Sequence, residues 1–465
     1  MQVKIGLETH VQLATKTKLF CPCSIENISQ ALPNTRTCEI CLGFPGSKPR
    51  VNEKAIEFAL KIALALNCKI NREFFFSRKN YFYPDMSKNF QITQYEIPIA
   101  EEGYLMVGGK RIGIKRVHLE EDPARMVHVG KSLREAKYTL VDYNRSGIPL
   151  VEIVTYPDFS SPREAREYLK QLMLILQYLG VFDPEKQIIK SDANISIEGG
   201  ERVEIKNITG FKEVEQALNF EILRQKNLLR RGRRAERETR MWDPASKTTF
   251  PLREKEEEED YGYIFEPDLP RFVLSGEEIA RIKSSMPELP QEKFEKYVKL
   301  GLSEEMAYAI AEDLQLAQFF ENLLGEFSPR TLARWISVLK KILNYNDILL
   351  SETKLSEHVF KTLVRVAESG RISDRAFDLI LREIIFAPEK LRELIEKYSA
   401  LSGEELLSVV EHVLRENERA VKDYLGGEER ALDFLVGQVM RATRGRAEPK
   451  EARRALLEKL AKLKR

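Results

Sequence analysis

The chain has 465 residues, of which 43% are hydrophobic and 31% charged, a composition typical of a globular protein with more than one hydrophobic core. No apolar run approaches the roughly 18 residues that span a bilayer, and the opening MQVKIGLE lacks a secretory signal, so the sequence predicts no membrane segment and a cytoplasmic location. The formal net charge of +2 says little by itself, because a sum near zero can conceal local asymmetry along the chain.

The first predicted element is a strand, KIGLETHVQL, from Lys4 to Leu13. Every second residue, beginning with Ile5, is apolar or a threonine, which predicts one buried face. Glu8 and His10 lie side by side on the other face. Because the chain has only five histidines, a carboxylate and an imidazole on one strand face make this strand a candidate site.

Four of the five cysteines follow in one short segment, as CPC and CEIC separated by fourteen residues. They are Cys21, Cys23, Cys38 and Cys41. In a reducing compartment, two such pairs indicate a metal site rather than disulfides, and four thiolates close a tetrahedral shell around Zn²⁺. The sequence therefore predicts a structural zinc ion. Cys68, in a predicted helix rich in Ala and Leu, is expected to be a core thiol.

Two further segments combine polar residues with turns. RKNYFYPDMSKNFQITQYEIPI, residues 78–99, interleaves aromatic and basic residues, which fits either nucleic-acid binding or an aromatic-rich core loop. VDYNRSGIPLVEIV, residues 141–154, places Arg145 and Gly147 in a polar turn directly before an apolar strand. A charged residue beside such a turn makes Arg145 a candidate site residue.

Carboxylates recur on other predicted strands of the same region. HLEED contains Glu120 and Glu121; SDANISI places Asp192 and Asn194 on one face, and RVEIKN does the same for Glu204 and Lys206. Carboxylates gathered on one sheet surface repel one another unless cations bind, so together they suggest Mg²⁺ and phosphate oxygens. For each strand taken alone, a merely hydrated face is the better interpretation.

These alternating strands favour an antiparallel, half-exposed sheet and an α+β fold for residues 1–290. A helix is predicted from Ser161 to Leu179, with a capping box formed by Ser161 and Glu164. Helical periodicity dominates after Pro290, and a break near residue 399 predicts domains at 291–398 and 399–465. Residues 430–465 contain eleven basic and four acidic residues, a local net charge of +7 that fits contact with an RNA backbone or a merely solvated tail.

Several of these blocks, in this order, resemble the signature blocks of the B subunit of the aspartyl/glutamyl-tRNA amidotransferase family. They are RKNYFYPD, HLEED, VDYNRSGIPLVEIV, SDANISI, RVEIKN, ETRMWD and FEPDLP. The later FLVGQVMRATRG, residues 434–445, is similar to the tail that this family shares with YqeY-like proteins. The resemblance covers essentially the whole chain.

The resemblance implies a protein that uses ATP and Mg²⁺ to phosphorylate the side-chain carboxylate of Glu-tRNA(Gln), Asp-tRNA(Asn) or both, before ammonia displaces the phosphate. It implies two partners, the amidase or A subunit and the small C subunit, because the sequence carries no amidase signature or Cys–His pair of its own. It also implies a cradle domain similar to the glutamine synthetase catalytic domain, followed by a helical domain and a YqeY-like tRNA-binding tail.

The resemblance further implies one catalytic Mg²⁺ site formed by residues from several strands. These are Glu8, His10, Glu121, Asp192 and Glu204, while Asn194, Lys206 and Arg145 contact the nucleotide. Glu120 is an alternative to Glu121 in this set. His10 is unusual because Mg²⁺ prefers oxygen ligands, so His10 is expected to bind either through water or to a second, softer cation such as Mn²⁺.

Two other functions compete with this interpretation. A zinc-stabilised tRNA-binding scaffold without chemistry would also contain the cysteines and the basic tail, but it has no need for Glu8, Asp192 and Glu204. A glutamine-synthetase-like ligase acting on free amino acids would leave the helical tail unexplained.

Overall fold

The computed structural model describes residues 2–130, 136–252, 262–399, 401, 403–443 and 446–463. The chain divides into two compact units, Met1–Pro290 and Gln291–Arg465. No helix in these ranges is long and apolar enough to cross a membrane. The proposed division of the second unit at residue 399 stays a prediction.

The first unit contains the strands. They are β1 (Val3–Gln12), β2 (Lys69–Ile70), β3 (Glu73–Phe74), β4 (Ser77–Asn80), β5 (Phe90–Thr93), β6 (Ala100–Val107), β7 (Lys110–Glu121), β8 (Arg125–Val129), β9 (Tyr138–Asp142), β10 (Pro149–Thr155), β11 (Ile189–Ile197), β12 (Val203–Thr209), β13 (Glu238–Asp243), β14 (Thr248–Pro251), β15 (Gly262–Phe265) and β16 (Phe272–Val273). Its helices are α1 (Glu53–Ala65), α2 (Pro162–Tyr178), α3 (Phe211–Arg230) and α4 (Gly276–Ser284), with a 3-10 turn at Ile28–Gln30.

One nine-stranded sheet organises this unit, in the order β14-β13-β12-β11-β1-β10-β7-β6-β2. Only β12 and β13 pair in parallel among its described strands; the other neighbours are antiparallel. Smaller sheets are β15-β4-β5, β16-β3 and β8-β9. The prediction of a mixed α and β fold with a large, mainly antiparallel sheet is thus confirmed.

The sheet has one apolar and one polar face, as the alternation in β1 predicts. Ile5, Leu7 and Val11 are fully buried, or nearly so, in a core that they share with α1, α2 and α3. Burial of these aliphatic side chains is the main stabilising contribution to such a layered fold. Glu8 and His10 point away from this core.

The helix predicted from Ser161 is α2, and Pro162 is its first residue. Ser161 Oγ accepts a hydrogen bond from the Glu164 backbone N–H at 3.3 Å, as a helix N-cap does. The reciprocal half of the predicted capping box is shifted by one residue, because Glu164 accepts from the backbone N–H of Ser160 at 2.9 Å.

The second unit is helical throughout its described residues. The helices are α5 (Pro290–Lys299), which begins at the last residue of the first unit, α6 (Glu304–Ala311), α7 (Leu314–Leu323), α8 (Pro329–Asn346), α9 (Glu357–Glu368), α10 (Asp374–Ile384), α11 (Leu391–Lys397), α12 (Gly403–Glu416), α13 (Glu418–Leu425), α14 (Arg430–Ala442) and α15 (Pro449–Leu463), with 3-10 turns at Leu350–Glu352 and Pro388–Lys390. The last four share an apolar core of their own, which includes Val410, Leu435, Val439 and Leu456.

Candidate functional site

The predicted carboxylate strands are neighbours in the sheet, with β1 between β11 and β10. Glu8 pairs with Asp192 of β11, and His10 pairs with Glu152 of β10. Directly paired residues of antiparallel strands share a face. The polar face of the sheet therefore gathers side chains that are distant in the sequence.

One group on this face consists of Glu8, Asp192 and Glu204. Each offers a carboxylate oxygen, and these oxygens all lie within 4.8 Å of one another. The Asn194 amide donates to Glu8 Oε1 at 2.9 Å, which orients that carboxylate. Lys206 Nζ lies 3.7 Å from Asp192 and 3.5 Å from Glu204. All five of these residues were predicted from the sequence.

A second group consists of His10, Glu120 and Glu152, whose ligand atoms again lie within 4.8 Å of one another. His10 Nε2 is 3.6 Å from Glu120 and 3.7 Å from Glu152. The buried His118 approaches Glu152 at 2.9 Å. The structure thus separates the single predicted Mg²⁺ site into two adjacent groups, one of carboxylates and one that includes an imidazole.

The position predicted for Glu121 is occupied by Glu120. Successive residues of a strand point to opposite faces, so His118 and Glu120 reach the polar face of β7 whereas Glu121 does not. The Glu121 carboxylate instead accepts from Lys88 and from the backbone N–H of Ile92 at 2.9 Å. Glu121 therefore belongs to neither group.

Glu152 was missed by the sequence analysis. It is the only charged residue in the strand PLVEIVT, and that isolation in an apolar segment is the signal that could have identified it. His118 has no comparable signal, because the end of β7 around it also contains Arg116, Glu120 and Glu121.

The charges of these two groups are strongly coupled. Burial raises the pKa of Glu8 to about 7, and the carboxylates of Glu152, Glu204 and Asp192 contribute to that rise. Burial lowers the pKa of His10, but Glu152 and Glu120 outweigh it, so the pKa rises above its usual value. Carboxylates that resist ionisation beside one another are stabilised when a cation binds. The oxygen donors of the first group suit Mg²⁺, and the imidazole of the second suits a softer cation as well.

Arg145 lies beside these groups rather than within them. Its Nε donates to the backbone carbonyl of Pro123 at 2.9 Å and is 3.2 Å from Asp122 Oδ1. The buried Asp122 also accepts from the Gln12 amide at 2.7 Å. Lys190, which pairs with His10 across β1 and β11, has its pKa lowered by burial and by the charge of Arg145. Positive charge is therefore available next to the imidazole-containing group.

The four predicted cysteine ligands form a third group. Their Sγ atoms all lie within 4.8 Å of one another, and Cys21 and Cys41 are buried. The Cys38 backbone N–H donates to Cys41 Sγ at 3.2 Å. Cys68 lies apart, and burial raises the pKa of its thiol to about 12. Tetrahedral zinc sites of four cysteines bring thiolates together in this way.

Lys18 adds a charge that the sequence did not reveal. Its side chain is fully buried, and its Nζ lies 3.5 Å from Cys41 Sγ and 3.2 Å from the carbonyl oxygen of Tyr143. A lysine is rarely buried without a counter-charge, and clustered thiolates supply one. The Cys21 thiol and this ammonium lower the pKa of Cys41 to about 4.

The sequence left two interpretations of the aromatic segment, residues 78–99: nucleic-acid binding or an aromatic-rich core loop. Arg78 is paired with Glu266 and Lys88 with Glu121, while Gln91 and Gln94 are buried. Phe82 is 88% exposed and Tyr83 is 40% exposed. These basic and amide side chains are thus engaged within the protein, and the exposed aromatic residues of the segment lie in the loop between β4 and β5.

Fold and site together define a class: an α+β protein whose mainly antiparallel sheet carries, on its polar face, two groups of side chains that could hold metal ions, with a separate tetracysteine group and a helical C-terminal unit. The family model described as the GatB/GatE catalytic domain matches residues 3–280, and the one described as the GatB domain matches residues 318–460.

Curated relatives give the particular family. The B subunit of the aspartyl/glutamyl-tRNA(Asn/Gln) amidotransferase of Methanospirillum hungatei is 47% identical over 97% of this chain and 96% of the relative. Those of Thermotoga maritima and Methanosarcina mazei are 44% and 43% identical, over 97% and 98% of each chain. The chain belongs to this family of B subunits of the aspartyl/glutamyl-tRNA(Asn/Gln) amidotransferase. The resemblance inferred from the sequence blocks is confirmed, and the scaffold alternative is not favoured.

Proposed function

We propose that this chain activates the side-chain carboxylate of glutamate on tRNA(Gln), of aspartate on tRNA(Asn), or of both, for conversion to the amide. The γ-phosphoryl group of ATP passes to a carboxylate oxygen and ADP leaves; ammonia then attacks the acyl carbon, and phosphate departs as the C–O bond breaks and the nitrogen loses a proton. The cluster of three carboxylates on the polar face of the sheet, in a chain of this family, is the observation that carries the proposal.

Glu8, Asp192 and Glu204 would hold Mg²⁺, with Asn194 orienting Glu8. Bound there, Mg²⁺ would neutralise charge on the phosphate oxygens during transfer. The Lys206 ammonium, which lies within 3.7 Å of Asp192 and 3.5 Å of Glu204, would contact those oxygens. His10, Glu120 and Glu152 would hold a second cation, either Mg²⁺ or Mn²⁺. Arg145 remains a proposed nucleotide contact, at the edge of this second group.

The cradle similar to the glutamine synthetase catalytic domain is also part of the proposal. In its support, the nine-stranded sheet is almost wholly antiparallel and gathers carboxylates on its polar face, which suits the formation of an acyl phosphate. The ammonia for the amidation step would come from the amidase, or A subunit, which the small C subunit would hold in the complex. Among the described cysteines, the tetracysteine group and the buried Cys68 are both unsuited to releasing ammonia from glutamine. A cytoplasmic location belongs to the same proposal, because charged tRNA is used there.

The reconstituted complex is expected to release ADP from ATP only when misacylated tRNA is present. The carboxylate to be phosphorylated arrives on the tRNA, so uncharged tRNA should leave ADP release at the background rate. Coupled detection of ADP with Glu-tRNA(Gln), Asp-tRNA(Asn) and their uncharged forms measures this dependence. Equal ATP turnover with and without a charged tRNA would contradict the proposal.

The basic tail is proposed to bind tRNA. Arg441, Lys450 and Arg454 are exposed on α14 and α15. Because α12 to α15 share one apolar core, a truncation at Arg430 would unfold this part, so charge substitutions are the cleaner test.

Changing Arg441, Lys450 and Arg454 together to Gln is expected to weaken tRNA binding about tenfold at low salt and less at high salt. Each phosphate contact that is lost reduces the number of counterions released when the tRNA binds. Fluorescence anisotropy with labelled tRNA across a KCl titration measures the change. Identical affinities of variant and wild type at every salt concentration would remove the tail from the tRNA site.

A further inference from the structure

The turn between α3 and β13 carries a dense positive charge that the proposed chemistry does not use. Residues 230–237, RRGRRAER, contain five arginines and one glutamate. Arg230, Arg231, Arg233 and Arg234 are all exposed or half-exposed. None of these four takes part in an ion pair with a carboxylate of the described residues.

The backbone of this turn is held in a defined shape. Gly232 has φ of +72°, a left-handed conformation that favours glycine. The Arg233 N–H donates to the Leu228 carbonyl and the Gly232 N–H to the Leu229 carbonyl, both at 2.9 Å, which closes the end of α3. Ala235, which follows Arg234, is buried, and its carbonyl accepts from the Glu201 N–H at 3.0 Å. The arginines are therefore displayed on an ordered turn.

Helix stability accounts for only part of this charge. Basic residues in the last turn of a helix interact favourably with its dipole, which explains Arg230 at the end of α3. The effect fades beyond the terminal turn, so it does not explain Arg233 and Arg234. Guanidinium groups without a carboxylate partner among the described residues repel one another and are stabilised when an anion with several charges binds.

The turn also lies close to the cluster of carboxylates formed by Glu8, Asp192 and Glu204. Thr239 in β13 donates to Glu204 at 3.3 Å. Arg234 is five residues before Thr239, and five residues of chain reach at most about 18 Å between Cα atoms. A nucleic acid whose end lies at Glu204 has several backbone phosphates within that distance.

From this placement we infer that the α3–β13 turn binds the sugar-phosphate backbone of the substrate tRNA near its aminoacyl end. The inference rests on the proposed function, which supplies the RNA. Arginine suits this role because its planar guanidinium contacts phosphate oxygens through two N–H groups at once.

The test compares two full-length variants that lose the same number of exposed charges. Arg233→Gln with Arg234→Gln alters the turn, whereas Lys69→Gln with Lys115→Gln alters β2 and β7, on the other side of β1 in the same sheet. Affinity for labelled tRNA(Gln) is measured by anisotropy between about 50 and about 300 mM KCl, concentrations on the order of those that resolve counterion release.

The turn variant is expected to bind tRNA about tenfold more weakly at the lowest salt. The slope of log Kd against log salt concentration should be shallower by roughly 1.5, because each of the two lost phosphate contacts contributes about 0.7 to 0.9 to that slope. The lysine variant should match wild type. If the turn variant and the lysine variant bound tRNA with the same affinity and the same salt slope, the inference would be overturned. The proposed function would still stand if ADP release by the wild-type protein depended on charged tRNA. Loss of co-purification with the amidase partner at unchanged tRNA affinity would indicate a protein contact instead and would also overturn it.

Discussion

Glu8→Gln is expected to lower tRNA-dependent ADP formation by at least about a hundredfold, equivalent to about 3 kcal/mol of transition-state stabilisation. Glutamine keeps the Oε1 acceptor for the Asn194 amide but removes the negative charge that a divalent cation needs. Ammonia release by the amidase partner should change far less, because that chemistry lies on another chain. Separate assays of ADP formation and glutamine hydrolysis on the reconstituted complex measure both effects.

The folding of this variant is expected to be unimpaired. Burial and the neighbouring carboxylates raise the pKa of Glu8 to about 7, so ionised Glu8 costs stability in the metal-free protein. A neutral glutamine removes that cost, and the melting temperature without metal should equal or exceed that of wild type. Glu185→Gln, an exposed change in the loop before β11, is the matched control for the loss of one charge. Intact ADP formation with impaired glutamine hydrolysis in Glu8→Gln would contradict a role of this strand in phosphoryl transfer.

The local patterns of the sequence predicted which strand faces are polar, but they did not predict which strands are neighbours. Glu8 and His10 share a face of β1, and the sequence analysis placed both in one site. In the sheet, Glu8 pairs with Asp192 on one side of β1 and His10 with Glu152 on the other. Strand order depends on contacts between residues more than a hundred positions apart, which alternation along one strand does not encode.

The incorrect choice of Glu121 over Glu120 also arose because strand pairing could not be predicted. Alternation shows that only one of Glu120 and Glu121 reaches the polar face, but the phase of β7 depends on its pairing with β10. The cysteine group could be predicted because its spacing in the sequence is sufficient by itself. Lys18 could not, because nothing in its local sequence indicates that its side chain is fully buried against Cys41.

Wild type is expected to contain about one zinc per chain, and the double variant Cys38→Ser, Cys41→Ser is expected to contain none. Serine hydroxyls do not replace thiolates as zinc ligands, and the binding energy of a structural zinc is part of the folding energy. Loss of the thiolates also leaves the buried Lys18 ammonium without its counter-charge, which adds to the cost. The melting temperature should therefore fall by at least about 5 °C.

Elemental analysis and thermal unfolding of the same preparations measure both parts of this prediction. Cys68→Ala is the matched control, because it removes a buried thiol that lies apart from the group and should lower stability while leaving zinc in place. Chelation of wild type should reproduce the lower melting temperature of the double variant, since both remove the same ion. Zinc-free wild-type protein that melts at an unchanged temperature would show that the four thiols stabilise the fold by packing alone.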